Sequence, residues 1–132
     1  MQMSLKEVNQ ISMLGLAHVG DAVYELLTRS MLCSNGTGSV STLHKNTVRM
    51  VNAVAQAEAA NAIIDKLDSN ELAVYKRGRN TRVNSVPHNA DIAQYHAATG
   101  LEALFGWLYL QGKTERIIEL YEFITEGSKD AT

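Results

Sequence analysis

The sequence is poor in the features that mark secreted and membrane proteins. Its 132 residues include one cysteine, Cys33, which excludes an internal disulfide framework and is typical of a reducing compartment. No uncharged apolar run approaches the ~20 residues of a membrane-spanning helix. The N-terminal MQMSLKEVNQ also lacks the basic and apolar segments of a signal peptide. We therefore expect a cytoplasmic protein.

A strong charge bias is absent as well. The formal net charge is −2, so any binding of nucleic acid must come from a local basic patch and not from bulk charge. The 4 histidines do not have the spacing of zinc ligands, and Cys33 has no partner cysteine. These absences exclude a zinc finger and a globally basic nucleic-acid-binding protein.

The sequence has 1 proline and no convincing run of period-2 alternation. Its apolar residues recur almost throughout at helical spacing, which predicts an all-α helical bundle. Residues 1–132 are expected to form one domain, with a core over about 10–125 and a frayed tail over 127–132.

The caps and breakers predict where the helices begin and end. A short helix is predicted at about 4–11, a long one from about Met13 to Cys33, and a third from a cap at Ser41 to about Leu67, with a kink near Val51–Asn52. The fourth runs from about Asn70 to Arg77, is capped by Asp68 or Ser69 and is stopped by Gly78. The fifth runs from Asn89 or Asp91 to Gln111 and ends at Gly112, and the last begins at Thr114.

The stretch 14–25, LGLAHVGDAVYE, is the centre of the sequence pattern. Apolar residues recur at helical spacing in this stretch and just after it, which predicts a stripe facing the core. They are Leu16, Val19, Val23, Leu26 and Leu27. His18, Asp21 and Glu25 fall together on the opposite face. Gly20 costs about 1 kcal/mol inside a helix relative to alanine, so we expect a backbone or a ligand to approach closely beside Asp21. The alternative is a solvated polar face that tolerates a glycine.

Glu102 is the most unusual residue of the sequence, because it is a carboxylate within an apolar helix. It is the only charged residue between Asp91 and Lys113, and apolar neighbours surround it in nearly every direction around the predicted helix. A buried carboxylate is costly unless it is paired or bound to a metal. Its partner is either an arginine, Arg29 or Arg49, or a divalent cation shared with Asp21. Mg²⁺ suits the second case, because it binds carboxylates while keeping waters for phosphates.

Basic residues concentrate at one place. Lys76, Arg77, Arg79 and Arg82 are 4 of the 12 basic residues and lie within seven positions with no acid among them. The segment 80–89 that follows has no helical pattern. Cations at a helix C-terminus suit the helix dipole, but arginines that continue into the loop favour contact with phosphates. A second polar face, carrying His44, Lys45 and Arg49, is either solvated or functional.

Several motifs occur in a fixed order: LxxxxxGDAVYE at 14–25, LHK at 43–45, RGRN at 77–80, PxNxD at 87–91 and LEALFGWLYL at 101–110. With these motifs the sequence resembles the Mini-ribonucleases III, the compact bacterial members of the ribonuclease III family. The resemblance covers about residues 10–125.

The resemblance implies an all-α ribonuclease III endonuclease domain that has no separate double-stranded-RNA-binding domain. It implies a homodimer with two active sites along one RNA-binding valley. It also implies cleavage of double-stranded RNA that depends on Mg²⁺, with Mn²⁺ as a substitute. The typical substrate is the large-subunit ribosomal RNA precursor, with a ribosomal protein assisting in some members.

By position, the resemblance assigns catalytic and metal-binding roles to Asp21 and Glu102. Ala17 and Thr99 stand where full-size ribonucleases III have two further carboxylates, which leaves a metal ion with fewer protein ligands. Glu25, one turn beyond Asp21, is a candidate outer-shell acceptor.

The resemblance and the charge pattern together suggest an RNA-binding set: His44, Lys45, Lys76, Arg77, Arg79, Asn80, Arg82 and His88. Val83 and His88 depart from the usual loop pattern. Two rival functions remain open, a non-catalytic ribonuclease III-like module that binds structured RNA or ribosomal precursors, and a helical protein–protein module with a buried Glu–Arg pair.

Overall fold

The computed structural model describes residues 2–36, 38–81 and 91–130, without the side chains of 128–130. Over these ranges the chain is helical and contains no strand, which confirms the predicted all-α bundle. None of the helices there is long and apolar enough to cross a membrane. The elements are α1 (Leu5–Val8), α2 (Met13–Ser34), α3 (Val40–Val51), α4 (Ala53–Ile63), a 3₁₀ turn (Ile64–Lys66), α5 (Ser69–Arg79), α6 (Ile92–Leu110) and α7 (Thr114–Asp130).

Helix α6 is the centre of the bundle and packs against α2, α4, α5 and α7. Its side chains Leu101, Leu104, Phe105 and Leu108 are fully buried. A helix that is apolar on nearly every side must be enclosed by others, and the structure confirms this for α6. Asp91 begins the helix with a capping box to Gln94.

Helices α2 and α6 touch backbone to backbone at two glycines. A Cβ added at Gly20 would lie 1.6 Å from the carbonyl oxygen of Glu102, and one added at Gly106 would lie 2.0 Å from the carbonyl oxygen of Leu16. Neither position has room for any side chain. The expectation that Gly20 allows a second backbone to approach beside Asp21 is therefore confirmed.

Most of the predicted inward stripe of α2 is confirmed, because Leu16 is fully buried and Val19, Val23 and Leu27 pack against the core. Its buried residues are Leu16, Ala17, Gly20, Tyr24 and Thr28, whereas Leu26 is 63% exposed. Because the glycine must face α6, the small residues turn inward. Val19, Val23 and Leu27 lie at the edge of the core and form, with the exposed Leu26, a second, partly open face.

Two predicted helix limits are wrong in detail. The cap of α3 is Ser39, whose Oγ accepts from the Thr42 amide, and not Ser41. The kink near Val51–Asn52 is a complete break, because Asn52 ends α3 and caps α4 through a 2.8 Å bond from the Ala55 amide. Both serines are competent caps, and sequence spacing does not distinguish them.

Gly78 does not stop α5, which starts at its Asp68 cap and continues to Arg79. A Cβ at Gly78 would lie 3.0 Å from the Cα of Gly100, so this glycine serves close packing of α5 on α6. Gly112, with a φ of 76°, lies just beyond the end of α6 as predicted.

The last helix is longer than expected. A frayed tail over 127–132 was predicted, but α7 continues through Asp130, and residues 131–132 lie outside the described range. Arg116 fixes α7 to α5 with two 2.8 Å bonds to the buried carboxylate of Glu71. The guanidinium also donates to the Lys66 carbonyl at 2.8 Å.

Candidate active site

Asp21 and Glu102 meet where α2 and α6 touch. The missing side chain at Gly20 lets α2 lie directly on the backbone of Glu102, and Asp21 is the next residue. As a result, the two carboxyl groups are within hydrogen-bonding reach of each other. Asp21 is exposed and Glu102 is half-buried. The pair is therefore open to solvent on the Asp21 side.

Burial, first, and then the hydrogen bond to Asp21 and the negative charge of Asp21 together raise the pKa of Glu102 to about 8. The Gln56 amide opposes this rise. Without a cation, the Glu102 carboxyl therefore holds a proton close to neutral pH. A strongly raised carboxyl pKa beside a second acid in an accessible site is typical of a functional group.

Gln56, from the first turn of α4, is the third polar group at this site. Its Nε2 donates to the Val51 carbonyl at 2.8 Å and lies 3.5 Å from the Glu102 Oε2. Gln56 is 2% exposed, and its Oε1 is buried without a hydrogen-bond partner. The sequence interpretation missed this residue. The available signal was a lone amide on the buried side of the alanine-rich helix AVAQAEAANAI.

The predicted alternative of a buried salt bridge is wrong for the described part of the chain. Arg29 pairs at 3.1 Å with Glu25, in an exposed ion pair one turn apart on α2. Arg49 lies on the wall of a cleft with Tyr24 and Glu58, and neither arginine pairs with Glu102. The close helix contact brings a carboxylate to Glu102, and not a cation. Glu25 is thus engaged by Arg29, and its outer-shell role stays a prediction.

Ala17 and Thr99 are both buried, at 7% and 4% exposure. The Thr99 hydroxyl donates to the Tyr95 carbonyl at 3.0 Å, so it is already satisfied by its own helix. Over the described ranges no group of three or more histidine, cysteine or acidic side chains is placed to hold a metal ion. The donor set at this site is therefore the pair Asp21–Glu102.

The basic residues of α5 lie at its C-terminal end. Lys76, Arg77 and the C-cap residue Asn80 are exposed, and the Arg79 guanidinium lies 5.7 Å from the centroid of the Tyr75 ring. Because α5 extends to Arg79, only Arg82 of this cluster follows the helix. Lys76, Arg77 and Arg79 thus all lie in the last turn of α5, where the helix dipole favours cations. Residues 82–90, which include Arg82, Val83 and His88, lie outside the described range.

The remaining candidates lie on α2 and α3. His44 and Lys45 are exposed, and His44 lines a cleft of about 200 Å³ with Arg29 and Cys33. His18 is exposed at the rim of a different, apolar cleft between α2 and α7. His18 and Glu25 therefore share the polar side of α2 with Asp21, but they do not join the pair that Asp21 forms with Glu102.

Comparisons with known proteins agree with this architecture. Residues 14–113 match the ribonuclease III domain family. The chain is 43% identical over 115 residues to a Mini-ribonuclease 3 of Thermoanaerobacter sp. (strain X514), covering 87% of this chain and 81% of that protein. It is 40% identical over 120 residues to a Mini-ribonuclease 3 of Clostridium tetani, covering 90% and 80%.

A solved structure supports the fold directly. Protein FN1578 from Fusobacterium nucleatum superposes with a TM-score of 0.81 at 33% identity, covering 89% of this chain and 93% of that one. The matched range 14–113 includes both Asp21 and Glu102. The chain therefore belongs to the ribonuclease III family and is an endoribonuclease.

Proposed function

We propose that this endoribonuclease cleaves double-stranded RNA with Mg²⁺, using Asp21 and Glu102 as its catalytic and metal-binding carboxylates. The observation that carries this proposal is the Glu102 carboxyl, half-buried beside a second acid. Two like charges in a poorly solvated site are unfavourable. A shared cation offsets both the repulsion and the lost hydration.

The donors present fit a hard divalent ion. Asp21 and Glu102 offer carboxylate oxygens, which Mg²⁺ prefers, and few protein ligands suit an ion that keeps several waters. Mn²⁺ accepts the same oxygen ligands. When bound, such an ion supplies a water activated for attack on the phosphodiester and stabilises the charge that develops on phosphate.

The chain's own residues prepare the site in three ways. The Gly20 contact sets the spacing of the two carboxyl groups, because it fixes α2 against α6. The apolar surroundings of Glu102 exclude water from one side. The exposed carboxylate of Asp21 faces solvent, where a phosphate can enter.

The direct test is incubation of the purified chain with long double-stranded RNA in Mg²⁺ and in chelator. We expect short duplex fragments in Mg²⁺ and intact RNA in chelator. Single-stranded RNA of the same sequence and the matching DNA duplex serve as controls and should survive. Binding of the duplex without cleavage in either Mg²⁺ or Mn²⁺ would favour the rival, a non-catalytic RNA-binding module.

RNA contact is proposed for Lys76, Arg77 and Arg79 on α5, for its C-cap residue Asn80, for His44 and Lys45 on α3, and for Arg82 and His88. Duplex RNA is recognised chiefly by its shape and its phosphates.

Alanine at Arg77, Arg79 and Arg82 should weaken binding similarly for all duplex sequences. Each lost contact should flatten the slope of log K against log salt by roughly 0.9, the value for B-DNA. Lys6→Ala, on α1 and outside the proposed RNA-binding set, should leave the slope unchanged. An unaltered affinity in the triple variant would contradict this assignment.

A homodimer is proposed from the second apolar face of α2. Val19, Val23, Leu26 and Tyr109 belong to the lining of a cleft of about 440 Å³ between α2, α7 and the end of α6. Leu26 is 63% and Tyr109 47% exposed, and exposed apolar patches mark protein interfaces. A two-fold dimer also supplies two sites, one for each strand of a duplex.

Leu26→Glu should therefore convert a dimer into a monomer in sedimentation equilibrium at micromolar concentration. A charge in the centre of an apolar interface costs far more than one on an exposed surface. Leu5→Glu is the matched control, because Leu5 is 54% exposed on α1 and lies outside this cleft. If the unchanged chain is a monomer that still cuts both strands in one encounter, the dimer is disproved.

The likeness to Mini-ribonucleases III extends the proposal to the physiological role. We propose the large-subunit ribosomal RNA precursor as the substrate, in the cytoplasm, with a ribosomal protein as an additional partner. This role would be supported if the purified protein cut the precursor at the same positions at which the precursor is cut in cells. Unchanged precursor levels after removal of the protein would contradict it.

A further inference from the structure

The buried amide of Gln56 lies at the Asp21–Glu102 site, and the proposed reaction gives it no role. Gln56 is 2% exposed and lies where α3, α4 and α6 come together. Its Oε1 is among the buried side-chain atoms of the described chain that have no hydrogen-bond partner. A buried acceptor left unpaired is unfavourable, so its retention calls for an explanation.

The orientation of this amide is fixed by its neighbours. Its Nε2 faces two oxygens, the Val51 carbonyl at 2.8 Å and the Glu102 Oε2 at 3.5 Å. Rotation by 180° would place Oε1 against both acceptors and lose both attractive contacts. The Oε1 atom must therefore be the end that faces away from Val51. It needs a donor, and the described protein atoms supply none.

We propose that Gln56 is a positioning residue for the metal site, an inference that rests on the proposed role of Asp21 and Glu102 in binding the ion. Its Nε2–H holds the Glu102 carboxylate in the orientation that binds the ion. Its Oε1, which the described protein atoms leave unpaired, is the acceptor left for a water molecule at the site. Groups of this kind, which orient a ligand without touching the metal, change metal affinity or activity by about 10- to 100-fold when removed.

A purely structural role for Gln56 is the competing explanation. The break at Asn52 leaves the Val51 carbonyl without a helical partner, and Gln56 satisfies it. Gln111 provides a matched comparison, because it is also buried, at 9% exposure. Its Nε2 donates to the Trp107 carbonyl at 2.9 Å and has no carboxylate contact.

The experiment measures binding of Mn²⁺ alone, from the loss of the free-ion signal in electron paramagnetic resonance, together with thermal unfolding. Gln56→Met and Gln111→Met each remove an amide-to-carbonyl hydrogen bond, so both should lower the melting temperature in chelator. Only Gln56→Met should raise the Kd for Mn²⁺, by about 10- to 100-fold. Its cleavage of RNA should recover at high metal concentration. Equal Kd values for the two variants would show that Gln56 is only structural.

A second variant covers the case in which Gln56→Met fails to fold. Gln56→Asn keeps a buried amide but is one methylene shorter, so it withdraws the Nε2 donor from Glu102. Its Kd for Mn²⁺ should rise as that of Gln56→Met does. An unchanged Kd would overturn the proposal. If Glu102→Gln loses Mn²⁺ while both Gln56 variants keep it, the metal site stands and the role of Gln56 falls. No binding by the unchanged chain would overturn both.

Discussion

Replacing Gly20 by alanine is expected to remove about 3 kcal/mol or more of the free energy of unfolding, the upper range for overpacking a core. The added Cβ would lie 1.6 Å from the backbone oxygen of Glu102. A side chain could rotate away from such a contact, but a helix backbone cannot. The two helices must separate, and the layer of side chains between them loses its packing. Urea denaturation followed by circular dichroism measures the loss.

Gly127→Ala is the matched control for this prediction. Gly127 is also helical, on α7, but a Cβ built there would meet no atom within 4 Å beyond its own turn of helix. Alanine has the higher helix propensity, so this variant should gain up to about 1 kcal/mol. Gly106→Ala should behave like Gly20→Ala, because its Cβ would lie 2.0 Å from the Leu16 carbonyl oxygen. Equal stabilities for Gly20→Ala and Gly127→Ala would contradict the backbone contact.

The same contact explains why Leu26 is exposed, although the sequence predicts that it faces the core. Apolar spacing alone favours Leu26 over Gly20 as a core residue, because burial of a leucine side chain is favourable and glycine has no side chain to bury. Close approach of two backbones reverses that ranking. The identity of the partner helix decides it, and that partner is more than 80 residues away in sequence at Glu102. Local periodicity therefore predicts α2 and most of its inward stripe, but not the exposure of Leu26.

The carboxylate pair of the candidate site was predictable from the sequence because one of its members, Glu102, is an unusual residue at its position. Glu102 is conspicuous because nothing else around it is charged, and the need for a partner pointed to Asp21. Gln56 gave no comparable signal, because an amide is tolerated on many helix surfaces. Its place in the site depends on the break at Asn52, which spacing indicated only as a kink. Arginine partners were equally plausible from sequence, since pairing depends on distances across the bundle.

The metal-free chain should lose stability as the pH rises from about 4.5 to about 8. The pKa of Glu102 is raised from 4.5 to about 8 in the folded protein, chiefly by burial. The folded state thus holds a proton that the unfolded chain has released. Stability from this group is complete below the unfolded pKa and is lost as the pH rises through the folded one. One such proton changes the free energy of unfolding by about 1 kcal/mol per pH unit.

Glu102→Gln should remove this loss, since an amide of the same shape needs no proton to stay neutral. In chelator at pH 8 we expect the variant to melt at a higher temperature than the unchanged chain. Mg²⁺ should stabilise the unchanged chain, because it binds only the folded form, and should not stabilise the variant. Cleavage should be abolished while binding of duplex RNA survives. Asp21→Asn should act in the same direction, because it removes the negative charge that repels Glu102.

The sign of the change in melting temperature separates a metal site from a structural ion pair. If an arginine neutralised Glu102, Glu102→Gln would strand a buried cation and lower stability by about 3 kcal/mol or more. Glu58→Gln, at an exposed position on α4, controls for the loss of one negative charge and should change little. Scanning calorimetry of the unchanged chain, Glu102→Gln and Glu58→Gln between pH 5 and pH 8, with chelator and with Mg²⁺, measures these differences in melting temperature. A lower melting temperature for Glu102→Gln, with cleavage intact, would defeat the catalytic assignment and leave Glu102 as a structural residue.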